Sequence, residues 1–112
     1  MKVSTDALYP GGIVVKKNKT YTVIDNTQLK GLVVSKTILH PTRSTTGHEH
    51  PGQEEVYYFI SGHGQMAVDE ELSEVRSGDV VLIPDGAFHR VFNKSEWEDL
   101  TFLCVFDGKR GH

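Results

Sequence analysis

The stretch from Gly78 to Asn93 has the sequence GDVVLIPDGAFHRVFN, and it gives the clearest local indication of β-structure in the chain. Two short runs rich in β-branched and aromatic residues, Val80–Ile83 and Phe88–Phe92, flank the tight turn Pro84-Asp85-Gly86. Proline and glycine at such a turn end one strand and redirect the chain into the next. The stretch therefore predicts two successive β-strands.

Six further runs of the same kind lie along the chain, and turn residues separate them. They are Ile13–Lys17, Thr20–Ile24, Leu32–Leu39, Glu55–Ile60, Gln65–Val68 and Leu100–Phe106. Apolar residues rarely recur at helical spacing beyond one turn, so no long amphipathic helix is predicted. The pattern indicates an all-β fold, a sandwich or a barrel. We predict one domain over residues 1–112, with residues 1–12 as an arm outside the barrel.

Composition and charge exclude several classes of protein. Twelve basic residues against fifteen acidic ones give a net charge of −3, and the basic residues are scattered, so nucleic acid is not an expected partner. No window approaches the roughly 18 apolar residues of a membrane span, and the first residues lack the apolar core of a signal peptide. The single cysteine, Cys104, lies in an apolar run and is predicted to be a core residue. We therefore expect a cytoplasmic protein that makes no membrane contact.

Four residues form a candidate metal site. His48 and His50 are one residue apart, and in an extended chain both imidazoles lie on one face. Pro51-Gly52 then permits a turn that brings Glu55 back beside them, and the later Pro84-Asp85-Gly86 turn directs His89 into a further strand. Three imidazoles and one carboxylate suit one divalent manganese, iron, nickel, copper or zinc ion per chain.

The same residues resemble the two sequence motifs of the cupin family. The second motif is matched by Gly78, Pro84, Gly86, His89 and Asn93, and the first by His48, His50, Glu55 and Gly62. Both motifs lie within residues 42–93. One position departs from the pattern, because Thr42 stands where the family usually has glycine. The resemblance implies a double-stranded β-helix, or jelly-roll, cupin barrel with His48, His50, Glu55 and His89 holding a metal inside it.

The resemblance leaves three kinds of function open. Segments 46–50, 55–58 and 62–66 are similar to those of archaeal cupin-type sugar-phosphate isomerases, which favours a metal-dependent isomerase or epimerase acting on a sugar or related hydroxy-carbonyl compound. An iron-dependent dioxygenase would use the same ligands equally well. A module that binds a small molecule without turnover is the third possibility, since a fold alone does not choose a reaction.

Alternation along the strands assigns the remaining candidates. Tyr57 shares the face of Glu55 and is predicted to line the pocket, either as a catalytic group or as a core aromatic, whereas Glu54 and Arg90 point away from the metal. Three other histidines hold no motif position and are not predicted as ligands; they are His40, His63 and His112.

A homodimer is predicted from edge strands and outward apolar residues. The N-terminal runs Ile13–Lys17 and Thr20–Ile24 could pair with an open sheet edge of a second subunit. Four apolar residues are expected to face outward and to add contact area; they are Val56, Tyr58, Phe88 and Phe92. Closed two-fold assembly is also the commonest form of oligomer.

Overall fold

The structure, a computed structural model, describes residues 1–9 and 11–108. Within these ranges the chain forms nine β-strands. They are β1 (Gly12–Lys17), β2 (Tyr21–Asn26), β3 (Leu32–Leu39), β4 (Glu55–Ser61), β5 (His63–Val68), β6 (Glu71–Arg76), β7 (Val80–Ile83), β8 (His89–Phe92) and β9 (Leu100–Asp107). The predicted all-β class is confirmed. No helix in the described part of the chain is long and apolar enough to cross a membrane.

The strands form two antiparallel sheets with the core between them. The larger sheet has the order β1-β2-β3-β9-β4-β7, and the smaller sheet has the order β6-β5-β8. In β4, for example, buried and outward-facing residues alternate, as the pleat requires. The buried apolar cluster consists of Val33, Leu39, Tyr57, Phe59, Met66, Val75, Ile83, Ala87, Val91, Leu100, Phe102, Cys104 and Phe106. The expectation that Cys104 is a core residue is confirmed, since it is only 1% exposed.

Strand β6 was absent from the predicted set. Its sequence, Glu-Leu-Ser-Glu-Val-Arg, has a single buried residue, Val75. The strand lies at the edge of the smaller sheet and pairs only with β5, so most of its side chains meet solvent. A strand of this kind lacks the apolar alternation by which strands are recognised in a sequence.

The segment before β1 packs on the larger sheet. The main chain at Leu8 accepts a hydrogen bond from the Nδ2 of Asn26 at 2.9 Å, and the side chain of Leu8 is 2% exposed. The Nζ of Lys36 donates to the carbonyl of Asp6 at 3.2 Å. These contacts fix the start of β1 against β2 and β3.

Thr42 has a left-handed backbone conformation, with φ of 65°. Its N–H donates to the carbonyl of Ser95 at 2.9 Å, which fixes the turn that follows β3. A β-branched residue is strained in this region, whereas glycine is not. The glycine that the family usually has at this position is therefore explained by the geometry of the turn.

Replacing Thr42 with glycine is expected to raise the free energy of unfolding by about 1 kcal/mol. The substitution removes about 1–2 kcal/mol of left-handed strain and adds a smaller entropic cost in the unfolded chain. Urea denaturation would measure the difference. Thr46→Gly is the control, because Thr46 is also exposed in this loop but its φ is not positive, and that variant should lose stability. Equal losses in both variants would contradict the prediction.

Candidate metal centre

The segment that leads to His48 runs beside β8. The N–H of Thr45 donates to the carbonyl of Val91 at 2.9 Å, and His48 exchanges two main-chain hydrogen bonds with His89, at 3.1 and 2.9 Å. Residues that oppose each other in this way have side chains on the same face. The main chain therefore brings His48 next to His89, although 41 positions separate the two residues in the sequence.

Donor atoms of His50, Glu55 and His89 lie within 4.8 Å of one another. The side chains of Glu55 and His89 are almost fully buried, and the Nε2 of His89 is 2.9 Å from the Oε2 of Glu55. His50 is half-buried. Two imidazoles and a carboxylate that converge in this way form a possible His–Glu–His metal site.

The orientation of the His89 ring fits a ligand role. Its Nδ1 lies 3.1 Å from the carbonyl of Ala87, so the Nδ1–H donates to that oxygen, and in the neutral ring the lone pair is then on Nε2. Nε2 is the atom that faces Glu55. A backbone carbonyl that fixes the tautomer in this way is the usual partner of a metal-binding histidine.

His48 stands beside this group of three. Its ring is stacked on that of His50, with 5.4 Å between centroids, and lies 6.4 Å from the ring of His89. The residue is exposed, and its nitrogens fall outside the set that converges within 4.8 Å. Its role as a fourth ligand stays a prediction.

Two turns that flank the site are tied to each other. The N–H of Gly52 donates to a carboxylate oxygen of Asp85 at 2.7 Å. The same two turns are closed by hydrogen bonds from Gln53 to His50 and from Ala87 to Pro84. Asp85 thus fixes the turn between His50 and Glu55 relative to the turn before His89, a positioning role that the sequence analysis missed.

A pocket of about 80 Å³ opens above the three converging residues. This volume is small beside the roughly 300–1,000 Å³ of typical drug-sized sites, so it suits a small ligand. Tyr57 lies in the wall, with its ring 5.8 Å from that of His89. Besides the predicted residues, the wall contains Lys16, Tyr21, Val23, Thr37, Thr45, Phe102 and Cys104.

The other histidines and Arg90 have separate environments. His40 pairs with Asp99 at 3.2 Å, and His63 is exposed at the start of β5. His112 lies outside the described residues. Arg90 donates to the carbonyl of Thr45 and to the hydroxyl of Ser44, at 2.8 and 3.0 Å, so it holds the segment beside β8 in place.

The family model described as a cupin domain (Cupin_2) matches residues 35–106, which is more than half of the chain. The chain belongs to the cupin family. A conserved protein with a double-stranded β-helix domain from Klebsiella pneumoniae has the same fold, with a TM-score of 0.81, 21% identity, and coverage of 98% of this chain and 92% of that one. The predicted double-stranded β-helix is therefore confirmed.

Curated relatives share parts of this cupin domain. An uncharacterised protein from Methanocaldococcus jannaschii is 39% identical over 72 residues, which are 64% of this chain and 50% of the relative. An oxalate-binding protein from Thermotoga maritima is 30% identical over 76 residues, which are 68% of this chain and 62% of the relative. This chain thus matches less than two thirds of the length of either relative.

Proposed function

We propose that this cupin binds one divalent transition metal and, through it, a small oxygen-chelating compound. The observation that carries the proposal is the convergence of His50, Glu55 and His89 within 4.8 Å beneath a pocket. We assign these three residues as ligands and His48 as the fourth. Manganese, iron, nickel, copper and zinc all accept such a mixed nitrogen and oxygen set.

The residues present fit such an ion. Glu55 supplies a carboxylate inside the barrel, and the hydrogen bond from Nδ1 to Ala87 directs the Nε2 of His89 toward that carboxylate, where both atoms would coordinate one ion. When bound, the metal would supply Lewis acidity that polarises a carbonyl oxygen. The apolar wall formed by Val23 and Phe102 would keep bulk water from the bound compound.

The reaction we propose is an isomerisation or epimerisation of a sugar or related hydroxy-carbonyl compound. Proton transfer next to a carbonyl needs a group that can donate and accept a proton within reach. Tyr57 is our candidate for that group, because its ring lies in the pocket wall, 5.8 Å from the ring of His89.

Deuterium exchange tests this reaction directly. Metal-loaded protein incubated anaerobically in D₂O with small aldoses and ketoses is expected to exchange the proton next to the carbonyl, which proton NMR detects. Oxygen consumption by the iron-loaded protein would instead indicate the oxygenase alternative. Absence of exchange across the sugars, with metal bound, would contradict the isomerase proposal.

Binding of a small carboxylate without turnover is the second candidate. The observation that favours it is the 30% identity to the oxalate-binding protein of Thermotoga maritima over 68% of this chain. Saturable binding of oxalate to the metal-loaded protein, with no product formed, would support it.

Metal binding is expected to stabilise the fold. A ligand that binds only the folded state adds about 2.7 kcal/mol when its free concentration is roughly 100 times its dissociation constant. Thermal unfolding with and without manganese, nickel or zinc, combined with metal analysis of the purified protein, would measure this effect. Unchanged unfolding temperatures with all of these metals would contradict the proposed site.

We also propose a cytoplasmic homodimer. The outer face of the larger sheet carries exposed Val56 and Tyr58, and the exposed residues Leu82 and Val105 lie in register with Val56 on the neighbouring strands. Phe88 and Phe92 are half-buried, so they offer less contact area to a second subunit than their sequence positions predict. Light scattering at micromolar concentration is expected to give twice the monomer mass of 12.5 kDa, and a monomer mass would contradict the prediction. Cys104 is the single cysteine of the chain and is present as a thiol, which supports the cytoplasm, a reducing compartment, as the location.

A further inference from the structure

A β-bulge in β1 turns one lysine toward the pocket. Val14 pairs with Ile24, but Lys16 pairs with Val23, so Val15 is an extra residue between the two pairs. In a regular strand Lys16 would share the face of Val14, on the opposite side from the pocket. Because an extra residue reverses the alternation, Lys16 instead lies beside Val23, whose side chain is buried in the pocket wall.

Lys16 is the only lysine or arginine among the described residues that line this pocket. Its ammonium group lies 5.6 Å from the centroid of the Tyr21 ring, a distance within the usual range for a cation–π contact. Tyr21 is also part of the pocket wall. Lys16 is exposed, and this contact directs its side chain toward the pocket.

A continuous row of residues joins this lysine to the metal centre. Lys16, Val23 and Thr37 are successive partners across β1, β2 and β3, and Thr37 pairs with Phe102 on β9. The ring of Phe102 is stacked on that of Tyr57, which contacts His89 edge-on. At about 4.8 Å per strand, the backbone of Lys16 is roughly 14 Å from that of Phe102. The pocket wall that contains both residues also contains His50, Glu55 and His89.

The charges of the pocket favour an anionic ligand. Glu55 is the only acidic side chain in the described wall, so it offsets one of the two charges of a divalent metal, and Lys16 adds a further positive charge. A ligand with two negative groups matches this balance.

We propose, on the basis of the proposed metal site, that Lys16 is a specificity-determining residue. It binds a second carboxylate of a small hydroxy-acid or oxo-acid whose first carboxylate is held at the metal centre. The ligand class is therefore a short dicarboxylate with an oxygen substituent that can chelate.

Malate and lactate provide the test, because both chelate a metal through a carboxylate and the adjacent hydroxyl, but only malate has a distal carboxylate. Calorimetric titration of nickel-loaded protein is expected to show that malate binds about fivefold more tightly than lactate, the effect of one solvent-exposed charge pair. Lys16→Met is expected to reduce the ratio of malate affinity to lactate affinity to about one without loss of nickel. Lys16→Arg is expected to retain most of the preference for malate.

Lys17→Met is the matched control, because Lys17 pairs with Thr22 on the opposite face of the same strand. It should preserve the preference for malate. Equal binding of the two acids by the unchanged protein would overturn this inference, and so would a preference for malate that persists in Lys16→Met. Neither result would contradict the proposed metal site. Failure to load nickel, or to bind either acid, would overturn the proposed function and this inference together.

Discussion

Replacing Glu55 with glutamine is expected to weaken the binding of a divalent transition metal by about 100-fold or more. Loss of a partner that only orients a ligand already costs about 10- to 100-fold, and Glu55 supplies the one carboxylate among the converging donors. Glutamine has nearly the same shape, so the barrel should keep its packing. Isothermal titration with nickel or manganese would measure the loss, and circular dichroism would show that the fold is retained.

Glu54→Gln is the control for this experiment. The two carboxylates are adjacent in sequence, but Glu54 is exposed while Glu55 is 3% exposed and 2.9 Å from His89. The control should bind metal as the unchanged protein does. Equal losses in both variants would mean that net charge, rather than coordination, sets the affinity, and the assignment of Glu55 would be wrong.

The fold could be predicted from the sequence because its strongest signals are local. The turn at Pro84–Gly86 and the apolar runs on either side of it indicate strands whatever the rest of the chain does. Leu32–Leu39 and Val80–Ile83 were predicted with their observed bounds. Strand β6 was missed because it owes its structure to pairing with β5 rather than to an apolar face of its own.

Most of the candidate metal site could be anticipated for a different reason. His48, His50, Glu55 and His89 stand at the spacing of a known family, and the structure brings the donors of three of them together. The position of His48 depends on the path of the loop before His50, which spacing does not specify. The role of Lys16 was hidden because a bulge reverses the alternation of β1, and bulges depend on pairing with the neighbouring strand.

Phe102 connects the core of the barrel to the site. It is 1% exposed, and its ring lies 5.3 Å from that of Tyr57 and 5.2 Å from that of Phe59. Tyr57 in turn contacts His89. The orientation of the tyrosine in the pocket wall therefore depends on a residue that packing alone holds in place.

Replacing Phe102 with alanine is expected to lower the free energy of unfolding by about 3–5 kcal/mol, because the side chain is fully buried between the two sheets and its removal leaves a cavity. This is a large part of the roughly 5–15 kcal/mol that stabilises a typical domain. Phe102→Leu retains most of the apolar volume and should lose less than about half as much. Leu103→Ala is the positional control, since Leu103 is the next residue of β9, on the opposite face and half-buried. Urea denaturation would rank the three variants. If Phe102→Ala were no more destabilised than Leu103→Ala, the ring would not be part of the core, and packing would not explain how Tyr57 is held beside His89.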